Sequence, residues 1–144
     1  RVILQTDKEE LITLRDEINF VEAYLYLVKI RFQELLEIKI KVAKEKLNSE
    51  LPPLTIQMLI ENALKHNMIT EDDPLVVEVT SAGNFLIVSN NLNKNPNAIG
   101  QGSGLENISL RYSYYTDNKV QIQEKDGKFT VKVPLIDIEE YKGI

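Results

Sequence analysis

Leu59-Ile60-Glu61-Asn62-Ala63-Leu64-Lys65-His66-Asn67 is the stretch whose reading decides the fold. On a helical wheel at about 100° per residue, Ile56, Leu59, Ile60, Ala63 and Leu64 gather on one side. Glu61, Asn62, Lys65 and His66 gather on the other. Glu61 and Lys65 are four residues apart, as are Asn62 and His66, so the four side chains form one polar patch. Their types suit a nucleotide and a metal. Asn62 offers a neutral oxygen to Mg2+, a cation that prefers oxygen ligands and keeps several waters. Lys65 can neutralise phosphate charge, His66 can bond a phosphate or ribose, and Glu61 is a carboxylate able to orient or deprotonate an attacking group or to hold a metal-bound water. A solvated face with an ordinary Glu61–Lys65 ion pair, worth about 0.2–0.5 kcal/mol, gives the same spacing. The helix alone does not separate the two readings.

A second segment downstream bears on the choice: Gly100-Gln101-Gly102-Ser103-Gly104-Leu105-Glu106-Asn107. Alternate glycines before a helix let backbone approach phosphates, and a helix N-terminus favours anions. No Gly-Lys-Ser/Thr follows, which excludes a P-loop. The spacing also differs from the Rossmann fingerprint, which directly follows a strand. A polar helix, a strand pair, an Asn-rich loop and this glycine segment therefore occur in that order.

Around these motifs the chain is ordinary for a globular protein. It has 144 residues, 43% hydrophobic and 27% charged, with a net charge of −5. That length favours one core, and the acidic balance leaves no basic excess for nucleic acid or an anionic membrane. Without cysteine, disulfides and thiolate metal sites are excluded. His66 is the single histidine, so no His-cluster metal site exists. No apolar run approaches the roughly 18 residues that span a bilayer, and no signal peptide is visible. The chain begins at Arg1 without an initiator Met, as an excised fragment would.

Upstream, Thr6 to Phe32 reads as one long helix, with Thr6 and Glu9 as a capping box. Leu11, Leu14, Ile18, Val21, Leu25, Val28 and Phe32 keep a heptad spacing. That narrow seam fits partner helices or a face packed on the core. Leu36 to Val42 alternates as a half-buried strand, and Lys44 to Glu50 is a polar connection. Pro52 and Pro53 open the polar helix, where no amide donor is needed, and the helix runs to about Asn67. Glu71, Asp72, Asp73 and Pro74 read as a solvated turn. Leu75 to Thr80 and Phe85 to Ser89 pair around Ala82-Gly83. Asn90 to Ser103 is loop, and Gly104 to about Tyr114 is helix. Lys119 to Gln123 and Phe129 to Val133 form a last hairpin, with Asp126-Gly127 as its turn. The mixture favours an α+β two-layer sandwich over a doubly wound sheet.

Order and residues together resemble the GHKL ATPase fold, and more narrowly the LytS-type sensor histidine kinases. Leu51-Pro52-Pro53-Leu54, then Gln57 through His66, is similar to that family's asparagine box and its lead-in. Gly102-Ser103-Gly104-Leu105-Glu106-Asn107-Ile108, with Arg111 and Tyr112, is similar to its second glycine box and the following helix. Leu14 to Phe32, with Glu17, Tyr24, Leu25 and Arg31, resembles the helix joining the phosphoacceptor region to the ATPase domain. The closing hairpin ending at Leu135 also fits, so the resemblance covers nearly the whole chain.

The resemblance implies a Bergerat-type sandwich that binds ATP with Mg2+, in two parts: a linker and dimerisation helix (1–33) and an ATP-binding catalytic domain (34–144). It assigns Asn62 to Mg2+, Lys65 and His66 to phosphates or ribose, and Glu61 to activation. Gly102 and Gly104, with Leu105, border the phosphates, and Asn90 lies under the adenine. It further implies a response-regulator partner and a homodimer through upstream helices. The whole protein would be anchored in the inner membrane with this domain in the cytoplasm. The chain departs from the family at two points. Val88-Ser89-Asn90-Asn91-Leu92-Asn93 stands where the first glycine box has an Asp and then glycines, so Asn90 lacks charge assistance toward the adenine amino group. No phosphoacceptor histidine is present, because His66 lies within the nucleotide motif. The fragment alone is therefore expected not to autophosphorylate. Two other readings carry the same fold: a non-catalytic relay module, and an ATPase of the chaperone or topoisomerase kind with Glu61 activating water. The short loop from Asn90 to Ser103 and the heptad helix disfavour the ATPase.

Overall fold

A computed structural model describes residues 10–98 and 104–137. The element order is β1 (Ile12–Thr13), α1 (Leu14–Phe32), β2 (Leu36–Lys41), β3 (Glu50–Leu51), α2 (Thr55–His66), β4 (Leu75–Ala82), β5 (Phe85–Asn91), α3 (Gly104–Ser113), β6 (Gln121–Lys125) and β7 (Lys128–Pro134). Five strands form one mixed sheet in the order β2-β4-β5-β7-β6. Only β2 and β4 are parallel; the other pairs are antiparallel. The three helices and the sheet share one core, to which Leu14 and Val21 of α1, Ile56, Leu59, Ile60 and Ala63 of α2, and Ile108 and Tyr112 of α3 contribute. This is the expected α+β two-layer sandwich.

Strand register explains where the site forms. Side chains alternate between the faces of a sheet, and Leu75, Val77 and Val79 of β4 are buried at every second position. The pairing aligns Ile38, Val77, Asn90, Phe129 and Glu124 in one row across the sheet. The neighbouring row is Ile40, Val79, Val88, Val131 and Ile122, apolar throughout. The first row thus turns polar at Asn90. The β6–β7 turn is as expected: Asp126 (φ 54°) and Gly127 (φ 74°) both adopt left-handed backbone, as a type I′ turn needs.

Several boundaries differ from the sequence reading, β6 (Gln121–Lys125) by two residues among them, and four bear on the site. The first helix begins at Leu14 rather than near Thr6. Thr13 is its cap, accepting from Asp16 N at 3.2 Å, and Ile12–Thr13 pairs instead with Glu50–Leu51. The first two helical amides are satisfied across the molecule, Leu14 N by Ser49 O (2.8 Å) and Arg15 N by Leu47 O (3.0 Å), which adds to the local cap. Thr6 and Glu9 lie outside the described residues. The polar connection after β2 contains a 3-10 turn, Lys44–Lys46, and then β3. The polar helix starts at Thr55 because Leu54 is left-handed (φ 68°). Finally, β5 extends through Asn91, so Asn90 belongs to a strand and not a loop.

The heptad seam faces inward. Leu14 and Val21 are buried, and Ile18, Leu25, Val28 and Phe32 pack against the same core. Hydrophobic side chains that stay exposed on α1 are different ones: Phe20, Tyr26, Leu27 and Ile30. No helix of the described residues is long and apolar enough to cross a membrane.

Candidate functional site

The C-terminal half of α2, the end of β5 and the segment after it enclose a cavity of about 610 Å³, within the range of about 300–1,000 Å³ typical of small-molecule sites. Asn62, Ala63 and His66 line it from α2; Asn67 and Met68 follow directly. Asn90 forms its floor on β5, with Phe129 and Glu124 from the same row of the sheet. Leu92, Lys94, Asn95 and Pro96 close one side, and Leu105 contributes from the first turn of α3. Apolar walls with a few convergent amides suit a flat heterocycle carrying polar edges.

Asn90 is the polar residue buried deepest in that floor, at 5% exposure. Its Nδ2 donates to Asn91 O at 2.7 Å. This fixes which end of the amide is free: Oδ1 meets no donor among the described residues. That oxygen is left to accept a hydrogen bond from a ligand in the cavity.

Asn67 holds the cavity wall in place. Its Nδ2 donates to Ala63 O at 2.9 Å, and its Oδ1 accepts from Asn93 N at 2.8 Å. Met68 N bonds Asn93 O at 2.7 Å and Asn95 N bonds His66 O at 2.9 Å. The exposed end of α2 is thereby stitched to the chain leaving β5. At the rim, Lys94 Nζ pairs with Glu124 Oε2 at 2.8 Å.

The expected site residues divide into three groups. Asn62, His66, Asn90 and Leu105 converge on the cavity. Glu61 and Lys65 are on α2 but exposed, and do not line the cavity. Glu61 instead neighbours Tyr24 of α1, whose phenol pKa is raised by burial first and then by the Glu61 charge. Gly104 begins α3 with open space around it, while Gly102 lies outside the described residues. Sequence reasoning passed over Asn67, Lys94 and Phe129. Asn67 closed the motif, but an Asn after a helix reads as an ordinary terminator. The other two had no local signal, since only strand pairing brings them to Asn90.

The opposite end of α2 is built without a local cap. Leu54 offers no side-chain hydrogen bond, and the orphan amides are taken by Glu17 of α1. Glu17 Oε1 accepts from Leu54 N at 2.9 Å and Oε2 from Ile56 N at 2.8 Å, with Gln57 N as a third donor. Arg111 of α3 reaches the same corner, donating to Pro53 O and lying 3.1 Å from Met58 Sδ. The carboxyl of Glu17 is held above its ordinary range; burial outweighs the backbone donors and the attraction of Arg111.

The family model for histidine kinases matches residues 1–36. Sensor histidine kinase BtsS of Escherichia coli K12 is 30% identical over 128 residues, covering 84% of this chain and 23% of that protein. Sensor histidine kinase/phosphatase LytS of Staphylococcus aureus is 33% identical over 129 residues, covering 77% of this chain and 22% of that protein. The chain thus spans less than a quarter of these curated relatives. In structure it is similar to the cytoplasmic segment of histidine kinase QseC, with a TM-score of 0.61 and 17% identity over 89% of this chain and 78% of that one. The catalytic domain of histidine kinase ThkA superposes with a TM-score of 0.59 and 15% identity, over 90% of this chain and all of that one (100%). Sequence likeness to the LytS and BtsS kinases and a fold shared with histidine kinase catalytic domains together place the chain in the LytS-type sensor histidine kinase family.

Proposed function

We propose that this chain is the ATP-binding catalytic segment of a two-component sensor histidine kinase, transferring the γ-phosphoryl of ATP to a histidine upstream of Arg1. The observation that carries the reading is the cavity in which Asn62 and His66 of α2 meet the open amide oxygen of Asn90. Asn90 Oδ1 accepts from the adenine amino group, and the apolar walls at Leu92 and Phe129 hold the ring. Asn62 supplies one neutral oxygen to Mg2+. Among the described residues no group of three His, Cys, Asp or Glu stands ready as a metal cage. One protein ligand with waters and phosphate oxygens is the arrangement Mg2+ commonly takes. ATP supplies the phosphoryl group, and transfer then depends on positioning and charge neutralisation. His66 orients a phosphate or ribose, and Gly102 and Gly104 border the phosphates. Lys65 and Glu61 are exposed beside the cavity; Lys65 contributes positive charge near its mouth, and Glu61 is the activating carboxylate.

In this reading residues 1–33 form the linker helix and 34–144 the catalytic domain. The full-length protein is a homodimer through upstream helices, anchored in the inner membrane, and passes its phosphoryl group to a response regulator. The solved complex of ThkA with its response regulator TrrA, of similar fold at a TM-score of 0.51, supports that partner class.

Calorimetric titration with a non-hydrolysable ATP analogue, with and without Mg2+, tests the site. Asn62→Ala is expected to abolish Mg2+-dependent binding. Unchanged affinity in that variant overturns the assignment of Asn62. The substitution of the usual Asp by Asn90 favours one second reading, a non-catalytic relay module. Absence of binding by the unaltered chain at millimolar nucleotide selects it.

A further inference from the structure

We propose that Glu17 is a positioning residue for the nucleotide site, tying the orientation of α2, and so of Asn62 and His66, to the linker helix. The inference rests on the proposed nucleotide-binding role of those two residues.

The geometry is that of a helix cap delivered from another element. The first amides of a helix lack intrahelical partners, and a Ser, Thr, Asp or Asn at the cap position commonly meets that need. Here the cap position is Leu54, with left-handed backbone and no side-chain acceptor. Both oxygens of Glu17 take over, from 37 and 39 residues away in sequence. A carboxylate at a helix N-terminus is also favoured by the helix dipole. Glu17 is 1% exposed, so its carboxyl is shielded from bulk solvent.

An electrostatic link on the same face of α1 points the same way. Tyr24, two turns after Glu17, lies close enough to Glu61 for that carboxylate to raise its pKa. The linker helix therefore bonds the first turn of α2 and, through Tyr24, lies in the field of Glu61 beside Asn62. Glu17 also sits in the field of Arg111 from α3, the helix whose first turn supplies Leu105 to the cavity. A shift of α1 along its axis withdraws the Glu17 carboxyl from the Leu54 and Ile56 amides and moves the helix that presents Asn62. Ionising Glu17 in this buried corner is disfavoured, and a buried charge is weak evidence for stability. An acid in such a corner fits a positioning role better than a stabilising one.

Glu17→Gln is the test, made in this 144-residue chain. The amide is isosteric but has one acceptor, and its NH2 is set against a backbone N–H. His66, the single histidine, gives an NMR reporter at the far end of α2 that needs no nucleotide. The variant is expected to stay folded, to shift the His66 imidazole resonances, and to bind the Mg2+–ATP analogue about tenfold more weakly, equivalent to about 1.4 kcal/mol. If Glu17→Gln does not fold, Glu17→Asp keeps the acid, withdraws it by one methylene, and is held to the same two readouts. A lowered melting temperature with His66 resonances and affinity both unchanged overturns the proposal, since a merely structural cap gives that result. If the unaltered chain binds no nucleotide, the nucleotide reading fails, and the His66 resonances alone then decide the role of Glu17.

Discussion

The two ends of α2 solve the same problem in opposite ways. Every helix end leaves backbone groups without intrahelical partners. At the N-terminal end these are sealed inside the protein by Glu17, with Thr55 and Tyr112 fully buried around it. The Tyr112 hydroxyl is so enclosed that it makes no hydrogen bond of good geometry, and burial raises its pKa. At the C-terminal end the chain leaves through Asn67, and the polar side chains of the last turn open onto a cavity. One end is fixed by a distant charge and the other by neutral amides that keep space for a ligand. A helix held rigidly at one end and open at the other can present Asn62 and His66 at a defined place while its anchor belongs to another element.

The largest effect is expected from breaking the open end. Asn67→Ala removes the bond to Ala63 O and leaves Asn93 N without its acceptor. Stranding a fully buried amide costs about 1–3 kcal/mol, and Asn93 N is half-buried, which sets the loss at the lower end. Urea unfolding should show a loss of that size. Hydrogen exchange at Asn93 and Asn95 should accelerate more than exchange in β7. Uniform acceleration across the sheet would mean that Asn67 is only one more core contact, and the contrast between the two ends would weaken.

A smaller effect is expected at Asn90, where structure and sequence give different answers. By sequence, Asn90 is a weakened Asp, and restoring the charge gains up to about tenfold in affinity, as a charged bond contributes roughly 1.5–3 kcal/mol against about 1. In the structure the Asn90 amide has two tasks, and its Nδ2 holds Asn91 O at 2.7 Å. Asn90→Asp sets an oxygen against that carbonyl. The expected outcome is a fold less stable by about 1 kcal/mol and an affinity gain well short of tenfold. A full tenfold gain in calorimetry with an unchanged melting temperature would show the Nδ2 bond to be idle.

What was legible in the sequence follows from how local each signal is. The sandwich could be read because alternating strands, the Asp126-Gly127 turn and the two-sided polar helix are short-range patterns. That Asn62 and His66 face one cavity could be read because i and i+4 share a helix face. The role of Glu17 could not, since nothing near Leu54 announces a cap supplied from α1. The heptad seam gave spacing without direction: Leu14, Val21 and Val28 repeat as a coiled coil would, yet they fill the protein's own core. Exposed Phe20, Leu27 and Ile30 stand seven and three residues apart, on another face of α1. Periodicity identifies a stripe, and only the rest of the fold decides what it meets.

The smallest expected effect is a pH dependence at the sealed end. Burial raises the Glu17 carboxyl above its ordinary value of 4.5, against the pull of three backbone donors and Arg111. The charged groups that face it are few: Arg111 from α3 lowers its pKa, and Tyr112 stays neutral because burial pushes its phenol up. A raised folded pKa means the native state holds its proton longer than the unfolded chain does. The contribution of Glu17 to stability is therefore fully present below the unfolded value and declines as pH rises through the folded one. Melting temperatures of the unaltered chain and Glu17→Gln, compared from pH 4 upward, should move together except in that window. There the unaltered chain should lose stability relative to the variant, and the difference should then level off. A difference that instead grows in favour of Glu17 with rising pH would mean the amides of Leu54, Ile56 and Gln57 more than offset the cost of burial. Glu17 would then be an ordinary stabilising cap, and the two ends of α2 would differ in location alone.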